Sequence, residues 1–194
     1  MPAKIDAKIK FGKWHDIEVD DDVTAYAEYA NGATGTFITS TGESPGTNRL
    51  EISGTLGKLV LENGVLKHWK LKTSEREICK TSEKGMPKPE YEYTELMQES
   101  RETAHKGILQ NFANAILYGE ELLAPGTDGV NELTISNAAY LSSWQGNREI
   151  ALPFDTAEFD CLLEEKKRGS VWREETVKEA GESTEYKDRW KVNW

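Results

Sequence analysis

The sequence predicts an α+β domain built on an open, mostly antiparallel β-sheet with helices packed on one face. Three observations lead there. Apolar and polar residues alternate through most of the first hundred positions, the two-residue period of half-buried strands. Asn-Gly pairs stand at Asn31-Gly32 and Asn63-Gly64, the strongest short signal for a hairpin turn. Beyond residue 100 the period becomes helical, and strands followed by helices is the order of an α+β fold.

The elements follow in order. Residues 3–11 place Ile5, Ala7, Ile9 and Phe11 on one face and Lys4, Asp6, Lys8 and Lys10 on the other. Residues 22–30 alternate in the same way, turn at Asn31-Gly32 and return over 33–41 as a hairpin. Short strands are predicted over 50–53 and 58–62, joined through Gly54 and Gly57, and Asn63-Gly64 turns into a strand over 65–71. A further strand pair, 75–80 and 91–96, flanks a loop containing Gly85, Pro87 and Pro89.

Over 102–118 the residues Ile108, Phe112 and Ile116 recur every four positions beside Leu109, Ala113 and Leu117. This marks an amphipathic helix closed by Gly119. A second helix is predicted over 128–144, with Val130, Leu133, Leu141 and Trp144 inward and Thr127 or Asp128 as N-cap. An edge strand over 150–153 ends at Pro153. Residues 1–155 thus form the sheet-and-helix domain. Residues 156–194 read as a charged tail with one helix over 157–167 and the remainder extended or disordered, its terminal Trp190 and Trp194 expected to dock on the domain body or a neighbouring subunit.

Composition narrows the class. A chain of 194 residues with 37% hydrophobic and 30% charged residues suits one compact globular domain. A formal net charge of −10 disfavours nucleic acid. The basic run Lys166-Lys167-Arg168 directly follows Glu164-Glu165 and reads as a solvated helix face. No apolar stretch approaches transmembrane length and the N-terminus has no apolar signal core, so no membrane partner and a cytoplasmic location are expected. Cys79 and Cys161 are far apart and read as free thiols.

Self-contained catalytic chemistry is missing. There is no GxGxxG after a strand, no GxxxxGK[ST], no HExxH and no GxSxG. No catalytic, cofactor-binding or metal-ligating residue is therefore assigned. Asp16, Glu18, Asp20, Asp21 and Asp22 crowd after His15, but without the glycine turn and spacing of a calcium loop. His68 lies in a strand between lysines and reads as a surface residue. The bend Thr39-Ser40-Thr41-Gly42-Glu43-Ser44-Pro45-Gly46-Thr47-Asn48-Arg49 gathers hydroxyls, an acid, an amide and a guanidinium. Planar polar groups of this kind recognise sugar hydroxyls, which donate and accept at once; an ordinary polar turn has the same composition. Thr41, Glu43, Asn48 and Arg49 are candidate substrate contacts, together with His105 in the first turns of the long helix.

At these residues the chain resembles the C-terminal domain of the Gfo/Idh/MocA family, the glucose–fructose oxidoreductase and inositol dehydrogenase type. Residues 15–25, 41–52 and 54–61 carry the likeness. So does the block running from His105-Lys106-Gly107-Ile108 through Asn111-Phe112 and Ala115-Ile116 to Pro125-Gly126 and Leu152-Pro153. The four stretches are collinear over roughly residues 1–155. The resemblance implies an open sheet following a nucleotide-binding Rossmann domain, lining a sugar or polyol pocket and supporting a homo-oligomer. NAD or NADP binds the Rossmann domain. The family's catalytic lysine, in an EKP motif, and its acid-and-histidine helix match no position here. This chain alone is therefore expected to bind no cofactor and to be inactive, because hydride transfer needs the nicotinamide held against the substrate carbon. Met1-Pro2 reads like the interior of a longer family member, as an excised domain, a split gene product or a mis-called start would leave it. A free-standing carbohydrate-binding or dimerisation module is the alternative reading.

Overall fold

The computed structural model describes residues 1–97 and 104–171, which fall into two compact units, residues 1–44 with 104–171 and residues 45–97. In chain order the elements begin with β1 Lys4–Phe11, β2 Asp20–Glu28, β3 Thr34–Ser40, β4 Arg49–Gly54, β5 Gly57–Glu62 and β6 Val65–Leu71. They continue with α1 Glu75–Thr81, β7 Tyr91–Met97, α2 Ala104–Tyr118, α3 Asp128–Trp144, β8 Ile150–Ala151 and α4 Thr156–Gly169. The strands form two four-stranded antiparallel sheets, β3-β2-β1-β8 and β4-β5-β6-β7.

The core of the first unit is the predicted face of β1. Ile5, Ala7 and Ile9 pack with Val23 of β2, with Ala138, Ala139 and Leu141 of α3, and with Ile150 and Phe159. Small side chains at Ala7, Ala138 and Ala139 let α3 approach β1 closely. That approach matters because β8 pairs only with Lys4 and Ile5. Farther along β1, helix hydroxyls replace the missing strand. Ser142 Oγ accepts the Ala7 N–H at 2.9 Å and donates to the Arg148 carbonyl at 2.6 Å. Ser143 Oγ accepts the Ile9 N–H at 3.3 Å. Ser142 is 0% exposed, so this bond satisfies a donor that water does not reach. A ladder of rings, Phe11–Tyr140–Trp144–Phe159, seals the layer with centroid spacings of 6.0, 5.4 and 5.6 Å. The predicted tail thus contributes to this core: α4 starts at the Asp155 cap, whose Oδ1 accepts the Ala157 N–H at 3.0 Å, and delivers Phe159 to it. Residues 172–194, including Trp190 and Trp194, lie outside the described residues.

In the second unit, antiparallel register puts cross-strand partners on one face. Leu50, Ile52, Leu59, Leu61, Leu66 and Leu96 share a face with His68, Lys70, Glu92 and Thr94. Arg49, Glu51, Lys58, Glu62, Lys67, Trp69 and Tyr93 share the other. On the charged face Arg49 bridges Glu51 and Glu62 at 2.6 and 3.2 Å, Lys58 also pairs with Glu51, and these long side chains cover Val60, which is 1% exposed.

Three expectations need correction. Residues 75–80 are not a strand but helix α1, and β7 pairs with β6 instead. The reason is an N-cap: Ser74 Oγ accepts the Glu77 N–H at 3.3 Å, with acids in the first turn and Lys80 in the last. The Asn31-Gly32 turn does not place both residues at positive φ; only Gly32 does, at 82°, while Asn31 Oδ1 accepts the Ala33 N–H in a longer loop. Asn63-Gly64 does behave as read, with φ of 52° and 72°. Val130 and Leu133 of α3 are not inward: they are 60% and 61% exposed, and only the C-terminal half of the helix meets the sheet. Thr127 occupies the N-cap position of α3, but its hydroxyl makes no cap bond.

Helix α2 has the predicted stripe, closed at Gly119 (φ 72°), but it leaves that stripe bare. Leu109, Ile116 and Leu117 are 68–69% exposed. Its one buried described side chain is Asn111, which donates to Glu120 Oε1 and the Glu121 carbonyl and accepts the Leu123 N–H, fastening the turn that follows.

Candidate functional site

The polar residues of the first unit converge where β1 ends and β2 begins. A bulge between Lys10 and Phe11 ends the regular register. Gly12, at φ 63°, then turns the chain so tightly that a Cβ would stand 2.4 Å from the Ile17 carbonyl oxygen. The loop that follows wraps around the buried carboxylate of Asp21. Asp21 accepts the consecutive backbone N–H groups of Lys13, Trp14 and His15 at 3.0, 2.6 and 3.1 Å. Burial alone would raise its pKa, but the three N–H donors outweigh it and hold the carboxyl below its ordinary value. Beside it, the Lys13 ammonium and the Trp14 indole N–H both donate to Asp22 and keep that carboxyl low as well.

Hairpin register brings β3 to the same place. Asp22 lies opposite Ser40, so the next residue, Thr41, meets Asp21. The Thr41 N–H donates to the Asp21 carbonyl at 3.0 Å, and its Oγ1 stands 3.3 Å from that carbonyl and 3.1 Å from His15 Nδ1. Gly42 lies against the indole of Trp14, where a Cβ would approach the ring to 2.4 Å. At the same end, the Tyr140 hydroxyl donates to Asp20, and burial together with that carboxylate raises the phenol's pKa. Glu18 accepts from the Ser170 hydroxyl and the Val171 N–H, tying the end of α4 to the loop.

Of the five candidate substrate contacts, only Thr41 belongs to this constellation. Glu43 lies in the exposed stretch just after it. Asn48 and Arg49 belong to the second unit, where the Arg49 guanidinium is engaged by Glu51 and Glu62 on the charged sheet face. His105 is exposed in the first turn of α2. His15 joins Thr41 here through the loop around Asp21, a contact that no strand or helix period in the sequence signals. No group of three or more His, Cys, Asp and Glu side chains among the described residues could hold a metal ion. No helix among them is long and apolar enough to cross a membrane.

The comparisons with known proteins agree with this architecture. An oxidoreductase domain protein from Kribbella flavida superposes with a TM-score of 0.61 at 15% identity, over 78% of this chain and 44% of that one. An oxidoreductase from Agrobacterium radiobacter in complex with NAD+, L-tartaric acid and magnesium gives 0.54 at 20%, over 77% and 43%. A levoglucosan dehydrogenase complexed with NADH and L-sorbose gives 0.58 at 15%, over 79% and 45%. The chain therefore spans less than half the length of each of these proteins. No curated protein sequence matches it. The family model for the C-terminal alpha/beta domain of the oxidoreductase family matches residues 4–152, and by that match the chain belongs to the Gfo/Idh/MocA oxidoreductases.

Proposed function

We propose that this chain supplies the substrate-side and oligomerisation domain of an NAD(P)-dependent sugar or polyol oxidoreductase, and that it turns over substrate only when joined to a nucleotide-binding half. The observation that carries the reading is the bare apolar surface of α2 and the N-terminal half of α3 in a chain less than half as long as its relatives. Leu109, Phe112, Ile116, Val130 and Leu133 are 54–69% exposed. Burying one such side chain contributes roughly 1.5–3 kcal/mol, so a surface of this kind calls for a covering partner. The nicotinamide cofactors and small hydroxylated ligands bound by the Agrobacterium protein and the levoglucosan dehydrogenase support the reaction class. Thr41, Glu43 and His105 in the first unit, and separately Asn48 and Arg49 in the second, are proposed as substrate contacts, with no single site across the two units implied.

Leu109→Asp and Phe112→Asp test the docking surface. With a relative's nucleotide-binding domain supplied in trans, both variants should lose association. The unfolding free energy of the chain itself should shift by less than about 0.5 kcal/mol, as for exposed sites. Destabilised variants that still associate would refute the assignment. One observation favours a dimerisation module as a second reading: Leu50, Ile52, Leu59, Leu61, Leu66 and Leu96 cluster on one face of the second sheet, bordered on that face by His68, Lys70 and Glu92. That face is the proposed homo-oligomer contact in either case, and sedimentation of Ile52→Lys tests it, since loss of self-association is expected.

A further inference from the structure

We infer that His15 is a ligand contact whose ring is set so that its Nε2 lone pair faces outward to accept a hydrogen bond from a polyol hydroxyl. This rests on the sugar or polyol reading above.

The surroundings of Nδ1 assign the tautomer. The Asp21 carboxylate is 0% exposed, and its Oδ2 lies 3.6 Å from His15 Nδ1. A fixed negative charge at that distance favours a proton on the nearer ring nitrogen. Thr41 has a single hydroxyl proton and two neighbours for it, the Asp21 carbonyl at 3.3 Å and His15 Nδ1 at 3.1 Å. With the proton on Nδ1, the ring donates to Thr41 Oγ1, Thr41 donates to the Asp21 carbonyl, and every donor has one acceptor. Nε2 keeps its lone pair, and no described residue bonds to it.

The ring is also accessible and well supported. The His15 side chain is 48% exposed, and its backbone N–H is pinned by Asp21. The neighbouring Trp14 is half-exposed; Lys13 Nζ stands 4.5 Å from its ring centroid and Gly42 lies against the ring, and Trp14 is itself fixed through Asp21 and Asp22. A preorganised, half-exposed acceptor suits a ligand with hydroxyl donors. A metal ion would need further ligands, and the described residues hold no such cluster.

The test is ring-nitrogen NMR on the 15N-labelled full chain near pH 8.5, with and without glycerol, sorbitol or glucose. The expected result is a protonated Nδ1 and an unprotonated Nε2 for His15. Polyol should move that Nε2 resonance more than those of His68 and His105. Thr41→Val, which keeps the side-chain shape, should raise the Nε2–H population severalfold. A dominant Nε2–H form would overturn the assignment, and so would a polyol response shared equally by all three histidines. Both readouts are independent of nicotinamide binding, so failure here is distinguishable from failure of the oxidoreductase reading.

Discussion

Replacing Ser142 with alanine deletes one oxygen at the point where α3 takes over from β8 along the edge of β1. Ala7 is 1% exposed and Ser142 0%, so in the variant the Ala7 N–H loses its acceptor where water does not reach. An orphaned buried donor costs about 1–3 kcal/mol. The Arg148 carbonyl also loses its donor, but its residue is exposed and water can replace the bond. The expected loss is therefore about 2 kcal/mol, on the order of 8 °C in Tm for a unit of this size. Ser143 is an internal comparison. Its bonds to Ile9 are longer, 3.3 and 3.4 Å, and only partly buried, so Ser143→Ala should cost about 0.5–1 kcal/mol. Urea unfolding followed by near-ultraviolet circular dichroism, which reports the Tyr140–Trp144–Phe159 ladder in the same unit, reads both. Equal losses for the two variants, or a Ser142→Ala loss below about 0.5 kcal/mol, would refute the reasoning that the hydroxyl stands in for a strand.

Other perturbations reach the second unit and the loop. Gly57 has φ 144°, and a Cβ there would stand 2.0 Å from the Trp69 carbonyl oxygen; Gly57→Ala should cost at least about 3 kcal/mol and unpair β5 from β6 in hydrogen exchange. Protection of β5 equal to the parent chain would show that the backbone relaxes cheaply. Asp21 has its folded pKa below the ordinary carboxylate value, so its stabilisation of the loop is complete above about pH 4 and fades as pH falls through the lowered value. Exchange of the Trp14 amide should accelerate over that acidic window. Asp21→Asn should loosen the same amide at neutral pH and flatten the acid dependence, and an unchanged acid profile in the variant would assign the effect to other groups.

How much was readable follows from which patterns repeat. The face of β1 was legible because Ile5, Ala7 and Ile9 alternate with charges, and they do form the core. The turn at Asn63-Gly64 was legible from its residue types alone. Residues 75–80 form a helix and not the predicted strand because the Ser74 cap on the Glu77 N–H is a local signal that forms the helix without burying any residue. The helical period of α2 was plain, but periodicity gives a stripe and not the surface that covers it. Val130 and Leu133 failed for the same reason: α3 runs past the sheet that would have received them. In the candidate site, the two-residue turn predicted at Asn31-Gly32 pairs Asp22 with Thr41, whereas the longer loop shifts the register by one, pairs Asp22 with Ser40 and puts Thr41 beside Asp21. The approach of His15 does not follow, because it depends on a non-repeating loop launched by the positive φ of Gly12.

The most direct test of the proposed role is a fluorescence titration of the purified chain with NADH, alone and with a panel of sugars and polyols. A chain that contributes only the substrate side should show no saturable binding up to millimolar cofactor. Saturable NADH binding would contradict the proposal, because it would require a nucleotide site within these 194 residues.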